Sequence, residues 1–219
     1  MSKATVARFL VLLLGAHFAS TSAIAETDRD RGYRDCTQRN LAACQDSNQL
    51  IWGPGFSPRR KTGFDKSLND FLRGAPKEHL LTYSFTAASI ARESLTGPGD
   101  PPFRLSGGEW FFWGFTPHDA PDMAAIVFDS AGRIVLVGTL RDGDATEIPV
   151  SAGRSVLTIY IHQPEPSADV VQYVQRWARH AADGRKTYTG QPRTLVGTRA
   201  LTLAQSHWQK RWIADQAPE

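Results

Sequence analysis

Pro117, His118 and Asp119 stand together between an aromatic run, Glu109 to Trp113, and an apolar run, Met123 to Phe128. An imidazole titrates near neutral pH and can donate or accept a hydrogen bond, and the carboxylate beside it accepts. On a loop whose flanks are anchored as strands, such a pair can be presented to a partner. A lone loop histidine is incidental in many proteins, so it is context that marks His118, with Pro117 and Asp119, as the candidate binding residue. Cys36 and Cys44 are the two cysteines of the chain. Their spacing is neither that of a zinc site nor the Cys-x-x-Cys of a redox pair. In an oxidising compartment they are expected to form a disulfide that closes a short loop and stabilises it by about 2 kcal/mol.

The remaining chemistry-bearing residues do not assemble into a motif. His79, His162, His180 and His207 are scattered, with no His-x-x-x-His or Glu-x-x-His grouping to hold a metal. No Gly-x-Ser-x-Gly, phosphate-binding loop or dinucleotide glycine pattern occurs, and Ser106-Gly107-Gly108 reads as an ordinary turn. Glu109 and Asp129 could be drawn as a pair of glycosidase carboxylates, but the sequence does not fix the separation such chemistry needs. The expectation is a protein with no catalytic residues, no metal and no cofactor, which acts by binding.

The start of the chain sets the compartment. Lys3 and Arg8 flank the apolar Phe9 to Gly15, and Ala23-Ile24-Ala25 fits a signal cleavage site, so residues 1–25 read as a signal peptide and the mature chain begins at Glu26. A spanning helix needs about 20 apolar residues, which this run does not supply, so no membrane insertion is expected. The expected location is the periplasm, with secretion as the alternative. Losing Lys3 and Arg8 brings the formal charge of +3 close to neutral, which makes the pI near 9.0 a poor argument for nucleic acid. The distribution says more. Acids dominate Pro101 to Val150, whereas Asp183 is the only acid among eight bases from Val171 to Trp212. This asymmetry is either two solvated faces or an acidic half, carrying the Pro-His-Asp tip, that meets a basic partner.

Organisation follows from periodicity and turn chemistry. Residues 26–61 read as a cysteine-containing extension that ends in the loop Gly53 to Lys61, and residues 62–219 as one domain. Phe64, Leu68, Phe71 and Leu72 repeat at helical spacing, with Thr62 as cap and Gly74 as stop. Leu80 to Ile90 fits a strand at first and a helix later, so its type stays open. Strands are expected at 109–115, 123–128, 133–140, 146–150 and 155–161, with a hairpin turn at Asp129 to Gly132. Ser167 caps a helix to about Ala182. A last helix is expected over Leu203 to Ala214, docking on the sheet through Trp208 and Trp212. The fold class is α+β, an antiparallel meander with helices packed on one face.

Phe115-Thr116-Pro117-His118-Asp119-Ala120, with the strand-turn-strand Ala124 to Gly138 after it, resembles the inhibitor of vertebrate lysozyme (Ivy) family. The likeness extends over roughly residues 62–150 and includes the helix from Phe64 to Leu72. In that family a Cys-Lys-Pro-His-Asp-Cys loop sits between strands of an antiparallel sheet in a periplasmic protein. The resemblance implies that the loop enters a lysozyme cleft, where His118 hydrogen-bonds the catalytic carboxylates and Asp119 adds polar contacts. Where the family closes its loop with cysteines, this chain has Phe115 and Ala120, with Pro117 and Pro121 to stiffen the segment. The expected partner is a lysozyme or related peptidoglycan hydrolase. The alternative is an immunity or envelope-stress protein that blocks another cell-wall hydrolase or a toxin. Oligomeric state is open, a homodimer included.

Overall fold

The computed structural model describes residues 35–52, 63–80, 83–117, 122–142, 153–183, 193–204 and 206–213. The expected signal peptide, the loop Gly53 to Lys61 and the expected strand at 146–150 lie outside the described residues, as do His118 and Asp119 of the candidate site.

Among the described residues four α-helices form. They are α1 (Ser47–Trp52), α2 (Gly63–Phe71), α3 (Ala87–Ser94) and α4 (Ala168–Asp183). The Thr86 hydroxyl caps α3 by accepting from the Ser89 amide at 3.1 Å, and α2 is followed by Gly74 at a φ of 72°, a left-handed position that glycine adopts without strain. Thus Leu80 to Ile90, whose type the sequence leaves open, holds a short strand followed by α3. The strands are β1 (Glu78–Leu80), β2 (Tyr83–Phe85), β3 (Gly97–Pro98), β4 (Phe103–Arg104), β5 (Trp110–Phe115), β6 (Met123–Phe128), β7 (Ile134–Asp142), β8 (Arg154–His162), β9 (Thr194–Ala204) and β10 (His207–Ile213). β1 and β2 pair with each other, and the other eight form one sheet in the order β10-β9-β8-β7-β6-β5-β3, with β4 also on β5. The fold is α+β, and the described residues hold a largely antiparallel eight-stranded sheet and four α-helices.

Three expectations need correction. The sheet is not a pure meander: β5 to β8 follow one another antiparallel, but β9 lies parallel to β8, and α4 provides the crossover between them. The expected C-terminal helix from Leu203 is instead the hairpin β9–β10. A spacing of four residues puts Trp208 and Trp212 on one side of a strand as well as of a helix, and Thr194, Val196, Thr198 and Thr202 upstream favour the strand. The helices also do not share one face. Every residue of β6 is buried, which requires cover on both sides of the sheet. On one side Phe112, Ala124, Ile126, Phe128, Val137 and Tyr160 pack with residues of α1, α2 and α3; on the other, Phe111, Ala125, Val127, Leu157 and Ile159 pack with Val170, Val174 and Ala178 of α4. Gly138 lets α4 come close, since a Cβ there would lie 3.2 Å from a Val174 methyl.

The cysteine segment joins the first of these cores. Cys36 and Cys44 form a disulfide with a Cα–Cα separation of 4.5 Å, and both are buried together with Leu41, Leu50 and Ile51. The loop docks on the β6–β7 turn, where the Gln38 side chain donates to the Gly132 carbonyl at 3.4 Å and accepts from the Ser67 hydroxyl at 2.8 Å.

Candidate functional site

The Pro-His-Asp segment joins β5 to β6. Six cross-strand pairs hold these strands in register, ending at Phe115 opposite Met123, and one rung further the Thr116 amide donates to the Asp122 carbonyl at 2.9 Å. Pro117 is exposed immediately beyond that rung. The base of the hairpin is therefore described on both arms, while the tip residues 118–121 lie outside the described residues.

Three neighbours fix this base. From β7, Arg141 donates to the Asp122 carboxylate through Nε at 3.1 Å, and the pair is largely shielded, at 15% and 21% exposure. From the end of α3, the Ser94 and Thr116 hydroxyls lie 3.3 Å apart. On the outer side β3 pairs Gly97 with Phe115, so closely that a Cβ on Gly97 would lie 2.1 Å from the Phe115 carbonyl oxygen. Along the α4 face, Trp113 is 6.4 Å from Trp177 and 6.5 Å from Phe115 between ring centres. An ion pair, a hydroxyl contact and a glycine-tight edge strand thus hold both arms before the chain reaches Pro117.

The same end of the sheet carries a second charged clamp. Arg193, just before β9, has a fully buried side chain and donates through Nε at 2.9 Å to Asp142 at the end of β7, and the Ser155 hydroxyl of β8 reaches that carboxylate at 2.8 Å. Three strands are tied together beside the hairpin. Sequence reasoning did not single out Asp122, Arg141, Asp142 or Arg193, because their pairings span 19 and 51 residues and no local pattern marks them.

Other candidates are accounted for locally. His162 stacks on Phe71 with ring centres 4.1 Å apart and shares a 2.6 Å hydrogen bond with the Phe71 carbonyl, which makes it part of the packing. Asp129 spends both carboxylate oxygens on its own turn, accepting from the Ala131 and Arg133 amides at 2.9 Å each and from Arg133 Nε at 2.7 Å. Glu109 lies instead on a cleft of about 660 Å³ between the β4–β5 turn and the start of α4, with one carboxylate oxygen buried and unpartnered among the described residues. Tyr173 faces the same cleft, and burial pushes its phenol up against the opposing pull of Arg176. Asp129 and Glu109 are thus held in separate settings. Among the described residues no cluster of His, Cys, Asp and Glu could hold a metal ion, and no helix is long and apolar enough to cross a membrane. No protein-family model matches the chain, and neither a curated protein nor a solved structure matches it, so its own residues carry the functional reading.

Proposed function

We propose that the protein is a periplasmic inhibitor of a lysozyme-type muramidase, and that the segment Pro117-His118-Asp119 enters the cleft of the enzyme. The observation that carries the reading is the closed base of the hairpin, with the Thr116 to Asp122 backbone bond across it and the Arg141–Asp122 pair beside it. This bracing does the work of a loop-closing disulfide. It limits the arms before binding, so that docking loses less conformational entropy. A muramidase holds one protonated and one ionised carboxyl close together, and an imidazole can donate to one and accept from the other.

The test is inhibition of a basic c-type lysozyme by the chain from Glu26 onward, measured at low ionic strength against peptidoglycan. Inhibition is expected to weaken with added salt, because the tip belongs to the acidic part of the sequence. His118→Ala should weaken binding by one to two orders of magnitude, equivalent to about 1–3 kcal/mol for a buried hydrogen-bonding group, with an unchanged melting temperature. Asp119→Ala should cost less. A panel of c-type, g-type and bacterial muramidases that all fail to bind would overturn the proposal.

A further inference from the structure

β4 and β5 form a hairpin that pairs Arg104 with Trp110, and the Leu105 amide closes its turn by donating to the Glu109 carbonyl at 2.8 Å. Between this turn and the start of α4 lies the cleft of about 660 Å³, a size that suits a small organic ligand. It opens at the opposite end of β5 from the Pro-His-Asp segment, on the order of 20 Å away along a strand that rises ~3.3 Å per residue. The hairpin reading makes no use of it.

Glu109 is the group that calls for a ligand. One of its carboxylate oxygens is buried and has no hydrogen-bond partner among the described residues. A Cβ on Gly107 would lie 2.5 Å from that oxygen and 2.7 Å from the other, so the carboxylate lies against the bare backbone of the turn, which any side chain at 107 would disturb. A buried acceptor in this state is costly and is satisfied by a donor brought into the cleft.

The walls select the chemistry of that donor. Each carries one acid and one arginine: Glu109 and Arg104 on the hairpin, Asp169 and Arg176 on α4. The guanidiniums rest on aromatic rings, Arg104 at 5.1 Å from the centre of Trp110 and Arg176 at 5.8 Å from that of Tyr173. Neither wall has a net formal charge, so the cleft favours neither an anion nor a cation. Burial raises the Tyr173 phenol, which stays protonated and adds a donor. Phe103 is 38% exposed and meets Tyr173 edge-on with ring centres 5.6 Å apart, so an apolar ring lies open in the same cleft. A neutral molecule with hydroxyls in adjacent pairs and an apolar C–H face is a sugar. Its vicinal hydroxyls match the two oxygens of a carboxylate and the paired N–H groups of a guanidinium, and its C–H face packs on an aromatic ring. A peptide backbone is also neutral, but it offers its N–H groups one at a time.

We propose that the cleft between the β4–β5 turn and α4 binds a neutral saccharide, with Glu109 accepting from its hydroxyls, Arg104 and Arg176 donating to others, and Phe103 packed against a sugar ring. The site is separate from the hairpin, so a saccharide and an enzyme can be held at once.

The probes are chitotriose, cellotriose and maltotriose, titrated to millimolar concentration into the isotope-labelled chain from Glu26 onward and followed by amide chemical shifts. The charged controls are the trimers of glucosamine and of galacturonic acid, and trialanine is the peptide control. At least one neutral trisaccharide is expected to bind saturably and to shift the amides of Gly107, Gly108 and Tyr173. Glu109→Gln and Arg176→Gln should each weaken that binding about tenfold with the melting temperature retained. Gly107→Ala, which leaves every polar side chain in place, should weaken it as well, and His118→Ala should leave it unchanged. The proposal is overturned if no neutral trisaccharide binds, if a charged trimer or trialanine binds as tightly, if the shifts fall outside the cleft, or if Glu109→Gln binds like wild type. Loss of saccharide binding in His118→Ala would overturn it too, since the sugar would then sit on the hairpin.

Discussion

Asp142 and Arg193 show how much one carboxylate can carry at the end of this sheet. The guanidinium is fully buried and pairs with Asp142, so Asp142→Asn removes that ion pair from a buried charge. The expected loss is about 3 kcal/mol of stability, read from chemical denaturation, and Asp142→Glu should recover part of it. Asp129 makes a different claim, one that depends on pH. Burial works to raise its carboxyl, but the Arg133 amide and guanidinium, the Ala131 amide and the Arg133 charge outweigh burial and hold it below the ordinary value of 3.8. A folded value below the unfolded one stabilises the protein above the unfolded value, and that stabilisation is lost as the pH falls through the folded one. Wild type should therefore melt above Asp129→Asn at neutral pH, and the gap should narrow as the pH falls below the ordinary value of 3.8. Equal separation of the two melting curves at every pH would show that Asp129 acts through turn geometry alone.

Turns and strand edges decide how the elements meet. Ser206 occupies the β9–β10 turn at a φ of 74°, where a side chain is strained, so Ser206→Gly should stabilise the protein by about 0.5–1 kcal/mol in thermal unfolding. Gly132 has the opposite sensitivity. Its φ of 77° is matched by a Cβ position only 1.7 Å from the Gln38 carbonyl oxygen, so Gly132→Ala should push the disulfide loop off the β6–β7 turn and lower stability by at least about 2 kcal/mol. Such local chemistry is what the sequence displays well. The hairpin turn at Asp129 to Gly132, the Ser167 cap and the apolar stripes of α2 and α4 were legible because each is decided within a few residues. The hairpin β9–β10 was not, since Trp208 and Trp212 of β10 fit either periodicity and β9, the strand that β10 pairs with, is placed by nine pairs to β8, more than 30 residues away. The same distance hid the braces of the hairpin: Pro117, His118 and Asp119 could be picked out by eye, whereas Arg141 could be assigned to Asp122 only once β7 lay against β6.

At the scale of the whole molecule, two apolar layers share one sheet, and each depends on a distant part of the chain. The layer under α1, α2 and α3 needs the cysteine segment, whose buried Leu41, Leu50 and Ile51 lie before the region that the lysozyme-inhibitor resemblance covers. Replacing both Cys36 and Cys44 by serine should cost about 2 kcal/mol of stability and leave hairpin binding intact, which a reductant titration followed by melting would reveal. The other layer is closed by the parallel crossover, and this has a consequence for synthesis. Until β9 arrives, β8 is the margin of the sheet, and Ser155 to Ile161 is an uncharged, β-branched stretch with no proline or glycine, the composition of an aggregation-prone segment. The lysine and arginine that guard the finished margin are on β10, which leaves the ribosome after β8 and β9. A chain stopped at Asp183 should precipitate or require a holding chaperone, whereas one extended through Ile213 should remain in solution, so β9 and β10 act as the gatekeepers of a nascent sheet that cannot protect itself.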